Sequence, residues 1–133
     1  MNNQTPPPGK KVVLEVLRVR VQGSGSVETR TYQLLQKIGF VGLRANPDLD
    51  RHVDASAPKQ GGLIRLEYTV PQVPDTPVEF SIRSLVPGAD LPEHRGILSS
   101  LGEPKANGEV DLFGRDHRNL EWEFVCHPVR AES

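Results

Sequence analysis

Short apolar runs alternate with polar residues along much of this chain. Ile64, Leu66, Tyr68 and Val70 alternate with Arg65, Glu67 and Thr69. Val78, Phe80 and Ile82 alternate with Glu79, Ser81 and Arg83, and Leu120, Trp122, Phe124 and Cys126 with Glu121, Glu123 and Val125. Side chains on a strand point to opposite faces with a period of two, so each run has one face for a core and one for water. Such half-wet strands belong to antiparallel sheet, because parallel strands are apolar on both faces. The pattern predicts strands over 63–70, 78–86, 109–113 and 120–127. Pro71, Pro74 and Pro77 lack ladder donors, so the link between the first two leaves the sheet. Asn107-Gly108 marks the turn into the third, and Pro128 ends the last.

A further strand runs from Val12 to Gln22, and its pattern changes phase. Val12, Leu14 and Val16 share one parity, Leu17, Val19 and Val21 the other. Either a bulge near Val16-Leu17 absorbs one residue, or the first half is covered on both sides. Gly23-Ser24-Gly25-Ser26 is a loop. Beyond it, Tyr32, Leu34, Ile38 and Phe40 nearly fit a strand, while Leu34, Ile38 and Val41 fit a helical stripe. Ser26 as a cap, Glu28 near the positive end of the dipole and Gly39-Phe40 as a stop favour a helix over 27–38, then a short strand over 40–44. Residues 45–62 read as a long loop ending at Gly61-Gly62. Residues 87–108 are ambiguous: Asp90 and Glu93 have capping-box spacing, but Gly96 and Ile97-Leu98 suit a short strand.

The fold class is therefore mainly β: an antiparallel two-layer β-sandwich, or a sheet covered by one or two short helices. The alternative is α+β with helices at about 27–38 and 92–101. Length, 133 residues, indicates one domain over 11–128, which buries about two thirds of its unfolded surface. The polar, proline-rich residues 1–10 form a disordered tail, and 129–133 fray. Sixteen basic and 17 acidic residues give a net charge of -1, with no block of one sign, which argues against nucleic acid as a partner. No apolar run approaches the roughly 20 residues of a membrane span, and the amino terminus has no apolar signal core. A cytoplasmic protein is expected. The one cysteine, Cys126, shares a face with Trp122 and Phe124 and reads as a small buried hydrophobe.

No phosphate-binding, dinucleotide-binding, serine-hydrolase or zinc-protease motif is present. Three polar segments share a composition: Asp50-Arg51-His52, Glu93-His94-Arg95 and Asp116-His117-Arg118. Each sets an imidazole, a proton shuttle near neutral pH, beside a carboxylate that can orient it and a guanidinium that can hold an anion. His52, His94 and His117 are the candidate catalytic residues, and Arg95 and Arg118 the candidate ligand-binding ones. Consecutive antiparallel strands reverse direction, so a strand over 95–101 puts all three histidines at one end of the sheet. A helix there puts His117 at the other end.

Asn46, Asp48, Asp50, His52 and Asp54 are spaced by two, but Val53 and Lys59 stand where a calcium loop needs Gly and Glu. One cysteine and no close histidine pair disfavour zinc. No metal and no cofactor are expected. Arg65, Glu67, Glu79, Arg83, Glu121 and Glu123 read as cross-strand pairs on the wet face. Val13, Leu17, Leu85 and Val125 interrupt that face and call for a cover. Missing motifs, balanced charge and these outward apolar residues lead to the functional expectation. It is a non-enzymatic protein-binding or assembly module using a sheet face or edge, with another protein or a second copy as partner. The alternative is a small cofactor-independent hydrolase or lyase built on the loop histidines.

Overall fold

The computed structural model describes residues 7–23, 27–46, 52–59, 61–89 and 94–129. In chain order the elements are β1 (Lys11–Gln22), α1 (Val27–Ile38), β2 (Val41–Asn46), β3 (His52–Ser56), β4 (Ile64–Thr69), β5 (Val78–Ser84), β6 (His94–Leu101), β7 (Val110–Asp116) and β8 (Glu121–Pro128). Every strand pairing is antiparallel. The sheet order is β2-β3-β1-β4-β5-β6-β7-β8, and β8 pairs back onto β1. The result is a closed six-strand barrel of β1, β4, β5, β6, β7 and β8, with β3 and β2 added beside the second half of β1. The antiparallel β class is as expected. The two-layer sandwich is corrected to a barrel: period-two alternation specifies an inner face and is the same for a flat sheet and a closed one.

β1 makes closure possible. Along one edge it pairs with β4 from Lys11 to Glu15 and with β3 from Arg18 to Gln22. Along the other it pairs with β8 from Leu14 to Gln22. Val16 opposes Cys126 and Arg18 opposes Val125, so Leu17 is an extra, bulged residue. Leu14 and Val16 before it and Val19 and Val21 after it all face the core, which accounts for the change of phase in the sequence. The bulged Leu17 carbonyl accepts a hydrogen bond from Ala57 N at 2.8 Å.

Residues 45–62 are not one loop. His52–Ser56 inside them form β3, held between β1 and β2. The segment HVDAS has little strand character of its own, so its pairing partners decide its conformation. Residues 94–101 are strand β6, not the alternative helix over 92–101. Gly96 and Gly114 explain why: both lie under the Phe80 ring. A Cβ on Gly96 would stand 2.7 Å from Phe80 Cε2 and against the Arg115 carbonyl, and one on Gly114 2.9 Å from the same ring carbon. Phe80 fills this hollow and meets Phe124 edge-on at 5.2 Å between centroids.

α1 packs on β2 and β3. Its buried stripe is Thr31, Leu35 and Ile38, which shares Ile38 with the expected Leu34, Ile38, Val41 stripe but starts three residues earlier; Leu34 is only partly buried, and Val41 is exposed at the start of β2. Phe40 N reaches the Leu35 carbonyl at 3.0 Å and Gly39 N the Gln36 carbonyl at 3.0 Å, a paired C-terminal cap with Gly39 at φ +109°. The proposed cap Ser26 lies outside the described residues, as do residues 1–6 and 130–133 of the expected tails. Gly9 N and Lys10 O both hydrogen-bond to Val70, tying that segment to the end of β4. Among the described residues no helix is long and apolar enough to cross a membrane.

Two of the outward carboxylates form cross-strand pairs as expected, with partners outside the expected set. Glu67 meets Lys11 at 2.9 Å, whose hydrogen bond holds its carboxyl below the usual value, and Glu121 lies 3.6 Å from Arg115. Arg65 and Arg83 are cross-strand neighbours of like charge. Such exposed contacts contribute about 0–1 kcal/mol each.

Gly96→Ala is expected to destabilise the barrel by about 1–3 kcal/mol, since the added methyl overpacks Phe80 and the β7 backbone. Urea unfolding checks this through a lower midpoint at unchanged slope. Phe80→Leu in the same chain should recover part of the loss.

Candidate functional site

The strand directions place the turns β2–β3, β5–β6 and β7–β8 at one end of the barrel. His52 begins β3, His94 begins β6 and His117 lies in the β7–β8 turn, so all three sit at that end. Asp50, Arg51 and Glu93 of the three polar segments lie outside the described residues.

The centre of this end is Asp116, the last residue of β7, whose side chain is fully buried. Its local geometry begins as a turn. Asp116 Oδ1 accepts from Arg118 N at 2.9 Å and from Leu120 N at 3.1 Å. Asn119, at φ +68°, takes the left-handed conformation that asparagine tolerates and sends its N–H to the Asp116 carbonyl at 2.9 Å. Oδ2 receives three side chains: Trp122 Nε1 at 3.0 Å, Arg118 Nη2 at 3.2 Å and His94 Nε2 at 3.2 Å. An ionised carboxylate only accepts, so the His94 nitrogen facing it is the protonated one. Burial acts to raise the Asp116 pKa, but the hydrogen bonds from His94, Trp122, Leu120 and Arg118 outweigh it and hold the carboxyl far below its ordinary value.

His94 is buried, and its ring lies 4.9 Å from that of Trp122 and 6.1 Å from that of exposed His117. The fold thus brings His94, His117 and Arg118 together around Asp116. The pairing crosses the sequence segments: His94 uses the carboxylate of Asp116, twenty-two residues away. His52 joins a different group. It is buried on β3, with Nε2 3.3 Å from Asp54 Oδ2, and Asp54 also binds Arg20 Nε at 2.8 Å. Its Nδ1 has no hydrogen-bond partner. Arg95 follows the inward His94 by one residue, so it points out of the barrel, away from Asp116.

Two parts of this site are not among the residues the sequence singles out: Asp116 as the common acceptor, and the Trp122 indole N–H that donates to it. The available signals were the Asp116-to-Asn119 turn spacing and a lone tryptophan whose indole N–H needs an acceptor once buried. Cys126 is buried, and burial pushes its thiol up to about 12, so it stays un-ionised. Among the described residues no three His, Cys, Asp or Glu side chains form a cation cage. Of the calcium-like series, Asp48 and Asp50 lie outside the described residues.

Asp116→Asn turns an acceptor-only group into one with an N–H₂ facing donors, and should cost about 3 kcal/mol or more at neutral pH. A depressed folded pKa means that unfolded Asp116 takes up a proton the folded one refuses. Its contribution is complete above the ordinary carboxylate value of 3.8 and shrinks as pH falls below it. Urea midpoints of both chains measured from neutral to acid pH should therefore differ widely at neutrality and converge in acid. No family model matches this chain, and no similar curated protein or solved structure is found.

Proposed function

We propose that this chain is a non-enzymatic protein-binding or assembly module that presents the outer wall of β6–β7. The observation that carries this reading is a pair of large apolar side chains, Ile97 at 41% and Phe113 at 42% exposure, close together on that wall. Ile97 opposes Arg115 and Phe113 opposes Ser100 in the β6–β7 ladder, so the two are diagonal neighbours. A groove of about 240 Å³ adjoins Phe113 and is flanked by Arg20, Arg115, Glu121 and Glu123. Apolar anchors rimmed by mixed charge are a common interface composition. Asp116 supports the same reading from inside. Its oxygens are occupied by five internal donors, and His94 is committed to it, which suits a structural hub better than proton transfer.

The alternative is a small cofactor-independent hydrolase or lyase using His94 and His117 with Arg118. It draws on the 6.1 Å separation of the two rings. His52 and Arg95 would have no part in it, given their positions.

The partner to test first is a second copy. Wild type is expected to sediment as a dimer or larger at high micromolar concentration, and Ile97→Ser/Phe113→Ser as a monomer with an unchanged melting temperature. A wild type that stays monomeric, or association untouched by the double substitution, overturns the proposal.

A further inference from the structure

The chain leaves the barrel between β3 and β4 and returns at Gly61-Gly62, and this excursion borders a cavity of about 610 Å³ on the outer wall. Its walls include Leu17, Leu63 and Leu85, with Glu15, Lys59 and Arg65 as its charged groups. The volume is that of a small-molecule site, which runs from roughly 300 to 1,000 Å³.

Glu15 is the unusual group. It is 5% exposed and makes no hydrogen bond or ion pair with any described residue, and its oxygens are not sealed from solvent but open onto the cavity. Carboxylates this far inside a wall are nearly always paired with a cation, so one whose partner is only the solvent of a cavity offers a ligand a charged acceptor. Its neighbours are turned elsewhere. Arg65, its cross-strand partner on β4, gives Nε to the Gly62 carbonyl at 3.1 Å. His127, its partner on β8, has Nδ1 2.9 Å from the Pro128 carbonyl oxygen.

Both carboxylate oxygens lie against the glycine pair. A Cβ on Gly61 would stand 3.4 Å from Oε1, and one on Gly62 3.4 Å from Oε2. Gly62, at φ +80°, has a backbone reason to be glycine. Gly61 has no positive φ, and what a side chain there would obstruct is the approach to Glu15.

We infer that this cavity binds a primary ammonium carried on an aliphatic body. The ammonium donates to the Glu15 carboxylate in charge-assisted hydrogen bonds. The aliphatic chain lies along Leu17, Leu63 and Leu85. Glu15 is the one anionic group in the described lining, beside Lys59 and Arg65, so a second ammonium on the ligand finds no acceptor there and a monoamine is preferred to a diamine. The ammonium belongs either to a free amine or to a lysine side chain of another protein. The inference stands apart from the β6–β7 surface and does not depend on it.

The test is an NMR titration of the isotope-labelled full chain with n-hexylamine, its diamine analogue, n-hexanol and acetyl-lysine amide. Saturable shifts of the Gly61 and Gly62 amides are expected with n-hexylamine at millimolar concentration, weaker ones with the diamine and none with hexanol. Glu15→Gln should weaken binding about tenfold or more, the loss of one hydrogen bond to a charged group. Gly61→Val keeps the carboxylate, blocks its approach and should give the same loss, so the test survives if either variant folds poorly. Tighter binding of acetyl-lysine amide than of hexylamine assigns the site to a lysine of a partner, and the reverse order to a free amine. Absence of saturable shifts, equal shifts with hexanol, or binding untouched by both variants overturns the inference.

Discussion

The structure depends on β1 being shared. One twelve-residue strand is the neighbour of β8 on one side and of β4 and then β3 on the other. The apolar residues of β1 change parity partway, so without an extra residue one half of the strand would turn its apolar side outward. The bulge at Leu17 inserts one residue, returns Val19 and Val21 to the core after Leu14 and Val16, and lets the sheet meet itself. Closure leaves all six barrel strands, β1, β4, β5, β6, β7 and β8, paired along both edges, removing most of the exposed ladder of an open sheet. Free edge remains chiefly at the appended β2.

Inside the barrel, size complementarity does what alternation alone does not. Glycines at inward positions of β6 and β7 give the Phe80 ring its place, and Phe80, Phe124 and Trp122 form a chain of aromatic contacts toward the end that carries Asp116. There the buried carboxylate joins the start of β6, the β7–β8 turn and the start of β8 through five hydrogen bonds. A charge so well satisfied is a fixed part of the architecture. This gives His94 its place without giving it a free carboxylate to work with.

Two places on the outer wall leave groups open to another molecule. Ile97 and Phe113 are exposed apolar surface on β6–β7, and Glu15 is a carboxylate that opens onto a cavity with no partner among the described residues. Groups that stay unsatisfied on an otherwise well-paired barrel mark the places where another molecule gains most by binding.

The sequence by itself determined the antiparallel β class, the inner face of each strongly alternating strand and the change of phase at Val16-Leu17, with a bulge as one of its two explanations, and it favoured a helix over a strand for 27–38. Each is set by neighbours within a few residues: the period of two, its slip, and the Gly39 cap. It also supplied His94, His117 and Arg118 as residues near one site. Only the tertiary structure decided that the sheet closes, that HVDAS is a strand, that 94–101 is a strand and not a helix, and that His94 pairs with Asp116 while His52 pairs with Asp54. Those outcomes rest on contacts between distant segments. Gly96 is a helix breaker or a hollow for Phe80 according to what lies beside it, and a histidine beside one carboxylate in sequence is turned by the pleat toward another. Local pattern fixes which way a side chain points, and closure of the barrel fixes what it meets there.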